Sequence, residues 1–344
     1  MIGIKRLAQH LNISIGTVSR ALNGRPDVSE DTRRRVLEAA AELGYVANQS
    51  GRNLRQGTTE AVGFMIESRS DLTGNADNFF LAVFDGVQTV LNRHHLDLVV
   101  LPCSTDEDPA QYLSRIVGRR MVDALIISAT HRRDPRLELL TQARLPFAAL
   151  GRSGAATLDY PWVDLDFEGV ASRAVDRLVA HGHRRIAAGL PSNDINLGFV
   201  YLDGYKAALK RHGIAFDPDI VIRAASSELG GYQVGHELLS QPDPPTAVVL
   251  IHELMAIGLY RRLAEAGLQP GRDLAVIGFR ESPLARFLSP TLTCFRVSLK
   301  DLGIALGESL LASMPAYAET YPQGIVHKVW PMELVVGESD ARRI

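Results

Sequence analysis

The 344-residue sequence predicts an α/β protein in two parts, a small helical unit at the N-terminus followed by two doubly wound α/β lobes. Three observations carry this. Residues 4–44 contain three short amphipathic helical patterns separated by turn residues. From residue 61 onward, nearly all-apolar runs of strand length alternate with helical stretches, and that alternation breaks near residues 160–165.

Taken in order, Ile4 to Leu11 puts Leu7, Ala8 and Leu11 on one helical face, and the stretch Asn12-Ile13-Ser14 ends it. Ser14 is suited to cap a second helix that turns Val18, Ala21 and Leu22 inward and stops at Asn23-Gly24. Ser29 caps a third, with Glu30 and Asp31 in its positive first turn, and Val36, Leu37, Ala40 and Leu43 form its apolar face as far as Gly44. The strand-like runs are AVGFMI, DLVVL, DALIIS, PFAAL, RRIAAGL, TAVVLI and LAVIGF, about seven in all. Such runs suit parallel strands covered on both faces, with helices over 79–93, 167–181, 199–212 and 253–266 doing the covering. In sheets of this kind ligands bind beyond the carboxyl ends of the strands.

The net charge of −2 conceals an asymmetry: residues 1–57 carry +4 and the remainder −6. A basic unit on an acidic body suits a polyanionic partner for the first part alone. Cys103 and Cys294 stand far apart, outside any metal or redox spacing, and read as reduced, buried thiols of a cytoplasmic protein. No apolar stretch has the length of a signal-peptide core or a membrane span. There is no GxGxxG, GxxxxGK[ST], GxSxG or HExxH motif, so catalytic residues, metal ligands and a cofactor are not expected, and an enzyme reading finds no support. Residues 48–60 read as a polar, Gly-rich linker in which Leu54 stands between Arg52 and Arg55; an isolated apolar residue there also suits a wedge between base steps.

The stretches IKRLAQHLNISIGTVSRALNG (4–24), VSEDTRRRVLEAAAELGY (28–45) and RNLRQG (52–57) resemble the lactose-repressor (LacI/GalR) family of bacterial transcription regulators. So do VDALI (122–126), HGHRRIA (181–187), DGYKAAL (203–209), LAVIGF (274–279) and SPTLT (289–293), so that the likeness spans essentially the whole chain. The resemblance implies a helix-turn-helix DNA-binding domain over 1–47, a hinge helix or linker over 48–60, and an effector-binding and dimerisation core over 61–344 of the periplasmic-binding-protein type. It also implies that the chain crosses three times between an N-lobe, about 61–163 and 294–324, and a C-lobe, about 164–293 and 325–344. It makes the second helix a recognition helix, with Ile15, Gly16, Thr17, Ser19, Arg20 and Asn23 at the DNA and Arg52 and Leu54 at the hinge. Arg20 can donate two hydrogen bonds to a guanine edge, whereas Ile15 and Gly16 offer neither donor nor acceptor. Two meeting hinges imply a homodimer on a near-palindromic double-stranded operator, and the ending VVGESDARRI carries no heptads for a tetramerising zipper.

The effector positions depart from the family pattern. Tyr201 stands where an Arg is common, His252-Glu253 replace a common Asn-Asp or Gly-Asp, and Arg280 replaces an Asp. Three readings of Arg280 stay open: a compensated swap that still serves a neutral sugar, a positive pocket for a sugar acid or sugar phosphate, or an ion pair with Glu253 or Glu281 and no ligand contact. Phe79 and Phe80 suit an apolar wall for a sugar ring, and the loop from Ser128 to Arg133 and the segment around Asn196 lie at strand ends or mouth loops. The function expected is a repressor of carbohydrate uptake or catabolism genes, controlled by a sugar-like effector acting as inducer or corepressor. A solute-binding protein with no DNA role is the alternative.

Overall fold

The computed structural model of the protein describes residues 3–22, 24–45, 58–67, 79–154 and 158–341. Asn23, Arg52 and Leu54 lie outside the described residues, as does most of the 48–60 connection. The chain divides into two compact units, Met1–Thr59 and Glu60–Ile344.

In the first unit, α1 (Ile4–Leu11), α2 (Ile15–Leu22) and α3 (Glu30–Glu42) enclose a core of Leu7, Ala8, Val18, Ala21, Val28, Val36, Ala39 and Ala40. The turn between α1 and α2 puts Asn12 in the left-handed region at φ 55°, a conformation that asparagine tolerates. Ser14 Oγ then accepts the Thr17 amide at 3.0 Å, and Ser29 Oγ accepts that of Thr32 at 3.3 Å, each satisfying a donor that its helix leaves orphaned. One expectation fails here. Leu37 is half exposed, because the buried stripe of α3 runs through Val36, Ala39 and Ala40 and leaves residue 37 on its edge.

The second unit holds two six-stranded sheets. In the first, β1 (Ala61–Glu67), β2 (Asp97–Cys103), β3 (Ala124–Ile127), β4 (Phe147–Leu150), β5 (Trp162–Leu165) and β11 (His327–Trp330) lie in the order β11-β5-β4-β3-β1-β2, all parallel. In the second, β6 (Ile186–Pro191), β7 (Val221–Ala224), β8 (Ala247–Leu250), β9 (Ala275–Arg280), β10 (Thr293–Arg296) and β12 (Glu333–Val335) lie in the order β12-β10-β9-β8-β6-β7, with only β12 antiparallel. Strands β3, β4, β6, β8 and β9 are buried throughout, which is why each is a continuous apolar run.

The chain crosses between the lobes three times, each a few residues later than expected. Residues 164 and 165 belong to β5 in the first sheet, so the first crossing follows Leu165. Residues 294–296 pair within the second sheet, so the second crossing follows Arg296 and not residue 293. Residues 327–330 pair with β5, which places the third crossing between Trp330 and Glu333. The strands that end at these crossings are short and carry polar residues, so their sequence lacks the apolar run that marks the interior strands.

The helices Phe79–Leu91 and Leu299–Ser313 pack backbone to backbone. A Cβ on Gly86 would stand 2.1 Å from the Lys300 carbonyl oxygen, and one on Gly303 would stand 2.2 Å from that of Val83, so no side chain fits at either crossing point. The first turn of Phe79–Leu91 is thereby held at the ends of the first sheet's strands. In the other lobe the chain end is tied down through Asp340. The carboxylate of this buried residue accepts from the Thr293 hydroxyl at 2.6 Å and pairs with Arg177, while its carbonyl meets His181 at 2.6 Å. Among the described residues no helix is long and apolar enough to cross a membrane.

Asp340→Ala leaves Thr293 and Arg177 without their acceptor inside the fold and is expected to cost roughly 2–3 kcal/mol. Urea denaturation checks it: the midpoint should fall with the slope unchanged, and Asp340→Asn should lose less.

Candidate functional site

On the first unit, Ile15, Gly16 and Arg20 form an exposed face on α2, with Thr17 and Ser19 partly covered beside them. Thr17 is fixed by its N-terminal turn, its hydroxyl lying 2.9 Å from Ser14 Oγ. Gly16 has negative φ, and a Cβ there would meet only Ser14 Oγ, at an ordinary 3.6 Å. The fold therefore does not require glycine at 16, and what the missing side chain provides is room outside the helix. Arg20 is half exposed and lies 3.5 Å from Asp27, a surface pair weak enough to exchange for another partner.

On the second unit, an open cavity lies beyond the carboxyl ends of β3, β4 and β5. The first turn of the helix Phe79–Leu91 supplies Phe79 and Phe80, whose rings meet edge to face at 5.2 Å; Phe80 leans in turn on Phe64 at 6.0 Å. The strand ends supply Ser128 to Thr130, Leu150 to Arg152, and Asp164 and Leu165. Phe167, Ile195 and Leu197 close the cavity from the other lobe, with Phe167 stacked flat on Phe279 at 4.7 Å. Among the described residues the walls are mostly apolar, with Arg152 and Asp164 as their charged residues. Arg152 Nε lies 3.6 Å from Asp164 Oδ2. Burial pushes the Asp164 carboxyl up to about 7, against the pull of Arg152 and of the Arg152 and Leu165 backbone amides.

The eight residues proposed from sequence for the effector separate into three sets. Phe79, Phe80 and Ser128 line the cavity, the last donating its hydroxyl to the Met65 carbonyl at 3.0 Å. Asn196 lies between two lining residues, and its amide is spent on the Arg152 carbonyl at 2.7 Å. The other four are not among the cavity's lining residues. Tyr201 is fully buried, edge-on to Phe279 at 6.3 Å, with its hydroxyl unpaired and its phenol pushed up by burial. His252 accepts the Leu254 amide at 3.3 Å as the N-cap of the helix Glu253–Glu265. Glu253 and Arg280 are both buried and pair at 2.5 Å. Burial pushes the carboxyl up and the guanidinium down. Arg280 reaches the cavity only indirectly, its guanidinium lying 5.5 Å from the centre of the Phe79 ring. The ion pair between Arg280 and Glu253 that the sequence offered as one reading is present.

Sequence reasoning named the loop that holds Thr130 but missed Arg152, Asp164 and Phe167 on the cavity wall, and it missed the contact that joins the lobes along one flank. There His131 bridges to Ile195 in antiparallel fashion, Arg132 N donates to the Asp194 carbonyl at 3.1 Å, and Asn196 N donates to that of Thr130 at 2.9 Å. The His131 ring lies between Asp194 at 2.8 Å and Glu67 at 3.3 Å. Arg136, buried, holds this loop in place: it donates twice to Asp134, at 2.9 and 2.7 Å, and pairs with Glu67 at 2.6 Å. The hydrogen bond that the His131 ring donates to Glu67 pushes its imidazolium up to about 9, with Asp194 adding to it and burial and Arg136 opposing.

Two family models match the chain: "Bacterial regulatory proteins, lacI family" over residues 3–48 and "Periplasmic binding protein-like domain" over 175–339. The HTH-type transcriptional regulator AglR of Rhizobium meliloti is 31% identical over 341 residues, covering 98% of this chain and 94% of its own. The HTH-type transcriptional regulator RafR of Escherichia coli is 33% identical over 79% of each chain. Among solved structures, a transcriptional regulator CelR-cellobiose complex aligns over 98% of this chain and all of its own, with a TM-score of 0.74 and 27% identity. A lac repressor dimer bound to operator and the anti-inducer ONPF shares the fold, with a TM-score of 0.83 at 22% identity over 99% of each chain. The chain belongs to the lacI family of bacterial regulatory proteins. It is a transcriptional regulator and not an enzyme.

Because folding raises the pKa of His131 from 6.5 to about 9, the stabilisation from its two carboxylates is complete below pH 6.5 and is lost as pH rises through about 9. Following the imidazole by NMR should show this late titration, and Asp194→Asn should move it to lower pH while increasing the radius of gyration of the ligand-free protein.

Proposed function

We propose that the chain is a repressor of carbohydrate uptake or catabolism genes whose operator affinity is set by a neutral carbohydrate bound between the two lobes. The observation that carries the choice of a neutral ligand is charge matching. Arg280 is paired with Glu253 inside the protein, and Arg152 on the cavity wall faces Asp164, so among the described residues of the wall no unmatched cation is offered to a sugar acid or sugar phosphate. The phenylalanine wall suits the apolar face of a sugar ring, and the relative CelR, solved with cellobiose, supports a carbohydrate. The same relationship supports a homodimer on a near-palindromic operator in the cytoplasm, with residues 1–47 as the DNA-binding domain, 48–60 as the hinge and 61–344 as the core. In that assembly Arg20 reads a guanine edge in the major groove. Ile15 and Gly16 give apolar contact and close approach, and Thr17, Ser19 and Asn23 hold phosphates. Arg52 and Leu54 enter the minor groove, Leu54 as the wedge. The effector acts by favouring one relative setting of the lobes, and a coupling of about 1–3 kcal/mol between the two sites is enough for regulation.

A melting-temperature panel of neutral sugars, polyols, sugar acids and sugar phosphates tests the ligand class. A neutral sugar at a hundredfold its dissociation constant should stabilise by about 2.7 kcal/mol. Stabilisation by anions alone would reject the neutral ligand. Selection from random duplexes should return a palindrome. On it, Arg20→Ala should cost about 1–3 kcal/mol at one symmetric base pair per half-site, and equal weakening on all sequences would remove Arg20 from direct readout.

A further inference from the structure

The Arg152–Asp164 couple differs in kind from the other arginine–carboxylate pairs around the cleft. Arg280–Glu253 and Arg136–Glu67 are closed contacts, at 2.5 and 2.6 Å, with both partners buried away from the cavity. Arg152 and Asp164 stand 3.6 Å apart on the cavity wall itself, beyond hydrogen-bond length, at the ends of the neighbouring strands β4 and β5. A separation of this kind leaves room for a third polar group to join the two, as a bridging water does at wet interfaces.

A hydroxyl is the group that fits, since it accepts from a guanidinium and donates to a carboxylate at the same time. Asp164 needs such donors. Its carboxylate is buried and held from behind by backbone amides, its pairing with Arg152 is loose, and burial without enough donors is costly. The other polar side chains of the wall are already engaged, Ser128 with the Met65 carbonyl and Thr130 with that of Gly151 at 2.9 Å. Arg152 is kept in place from outside the cavity, with its guanidinium 5.6 Å from the centre of the Trp162 ring and 3.7 Å from Glu168.

We propose that Arg152 and Asp164 together seat two adjacent hydroxyls of the effector. The ligand is then a cyclic polyol with a vicinal diol on this couple and an apolar ring face against Phe79 and Phe80, and the couple, not residues 201, 253 and 280, determines which carbohydrate is accepted. This rests on the neutral-carbohydrate reading above and adds the part of the ligand that is recognised. A planar fork opposite a two-oxygen acceptor matches a pair of neighbouring hydroxyls better than one isolated hydroxyl.

The test uses the full chain with glucose, galactose, maltose and cellobiose as neutral probes and gluconate and glucose 6-phosphate as anionic ones, read by melting temperature and by fluorescence of Trp162. For the neutral sugar that binds, removal of either hydroxyl of one adjacent pair should weaken wild-type binding about ten- to hundredfold. Asp164→Asn and Arg152→Gln should each weaken the parent sugar to a similar extent and no longer distinguish it from those two deoxy analogues. The double change Glu253→Leu with Arg280→Leu should leave the discrimination in place. If a neutral sugar binds and both variants keep its affinity within about twofold, the couple does not hold the ligand and the proposal is overturned, while the neutral-carbohydrate reading stands. If only the anions bind, or none of the probes does, that reading fails and the proposal with it. Should Asp164→Asn lower the melting temperature of the free protein, Arg152→Gln, at a partly exposed residue, decides alone.

Discussion

A guanidinium taken out of water has to be met by a carboxylate, and the effector lobes are organised around that requirement. Arg136 is answered by Asp134 and Glu67, Arg280 by Glu253, Arg177 by Asp340, and Arg152 by Asp164. Such pairs contribute little net stability, because desolvation offsets most of the attraction. Their effect is geometric: each couple fixes two elements at a set distance, and breaking one leaves a buried charge behind. Arg136 sets the loop that joins the lobes, and Asp340 ties the chain end to the second lobe. Among its described residues the cleft thus has walls supported by charged residues while remaining close to neutral.

Parallel strand topology explains where these couples form. Neighbouring parallel strands end side by side, so residues just past their carboxyl ends meet although far apart in sequence. Glu253 follows β8 and Arg280 ends β9, its neighbour in the second sheet. Arg152 follows β4 and Asp164 lies in β5, its neighbour in the first. Each lobe builds one arginine–carboxylate couple by the same device. The difference lies in the gap: the couple of the second sheet is shut, and that of the first faces the cavity with space between its partners.

The parts of the fold that the sequence made readable are those with a local signal. Ser14 and Ser29 announce their helices because a capping hydroxyl must sit at a defined offset from the amide it satisfies. The fully buried strands β3, β4, β6, β8 and β9 announce themselves because burial on both faces demands an apolar run. Strands β5, β7, β10, β11 and β12 carry three or four residues each with a polar one among them, and only their neighbours make them strands. The resemblance places Tyr201 at the effector through its position in a motif, yet the helix Asn196–Arg211 has a periodic signal pointing the other way: Tyr201, Gly204, Tyr205, Ala208 and Leu209 form one inward stripe. Arg152 and Asp164 have no such signal, since nothing local relates two residues that only sheet pairing brings together.

The cavity and the contact between the lobes share residues, and this gives the cleft a means of sensing its contents. Thr130 and Ile195 line the cavity, while the first accepts the Asn196 amide and the second pairs with His131 in the bridge that joins the two sheets' loops. Asn196 also donates to the carbonyl of Arg152, so a shift of Arg152 towards a ligand pulls on the same segment. A ligand changes a conformational equilibrium only by binding one state better than the other. For a ligand seated as proposed, that difference would have a physical source: Arg152, Asp164, Phe79 and Phe80 stand on one lobe and Phe167, Ile195 and Leu197 on the other, so its full set of contacts would form only at one separation of them. The strength of the lobe-to-lobe bridge sets the separation that the empty protein prefers, and with it how much of the ligand's binding energy is left to move the equilibrium.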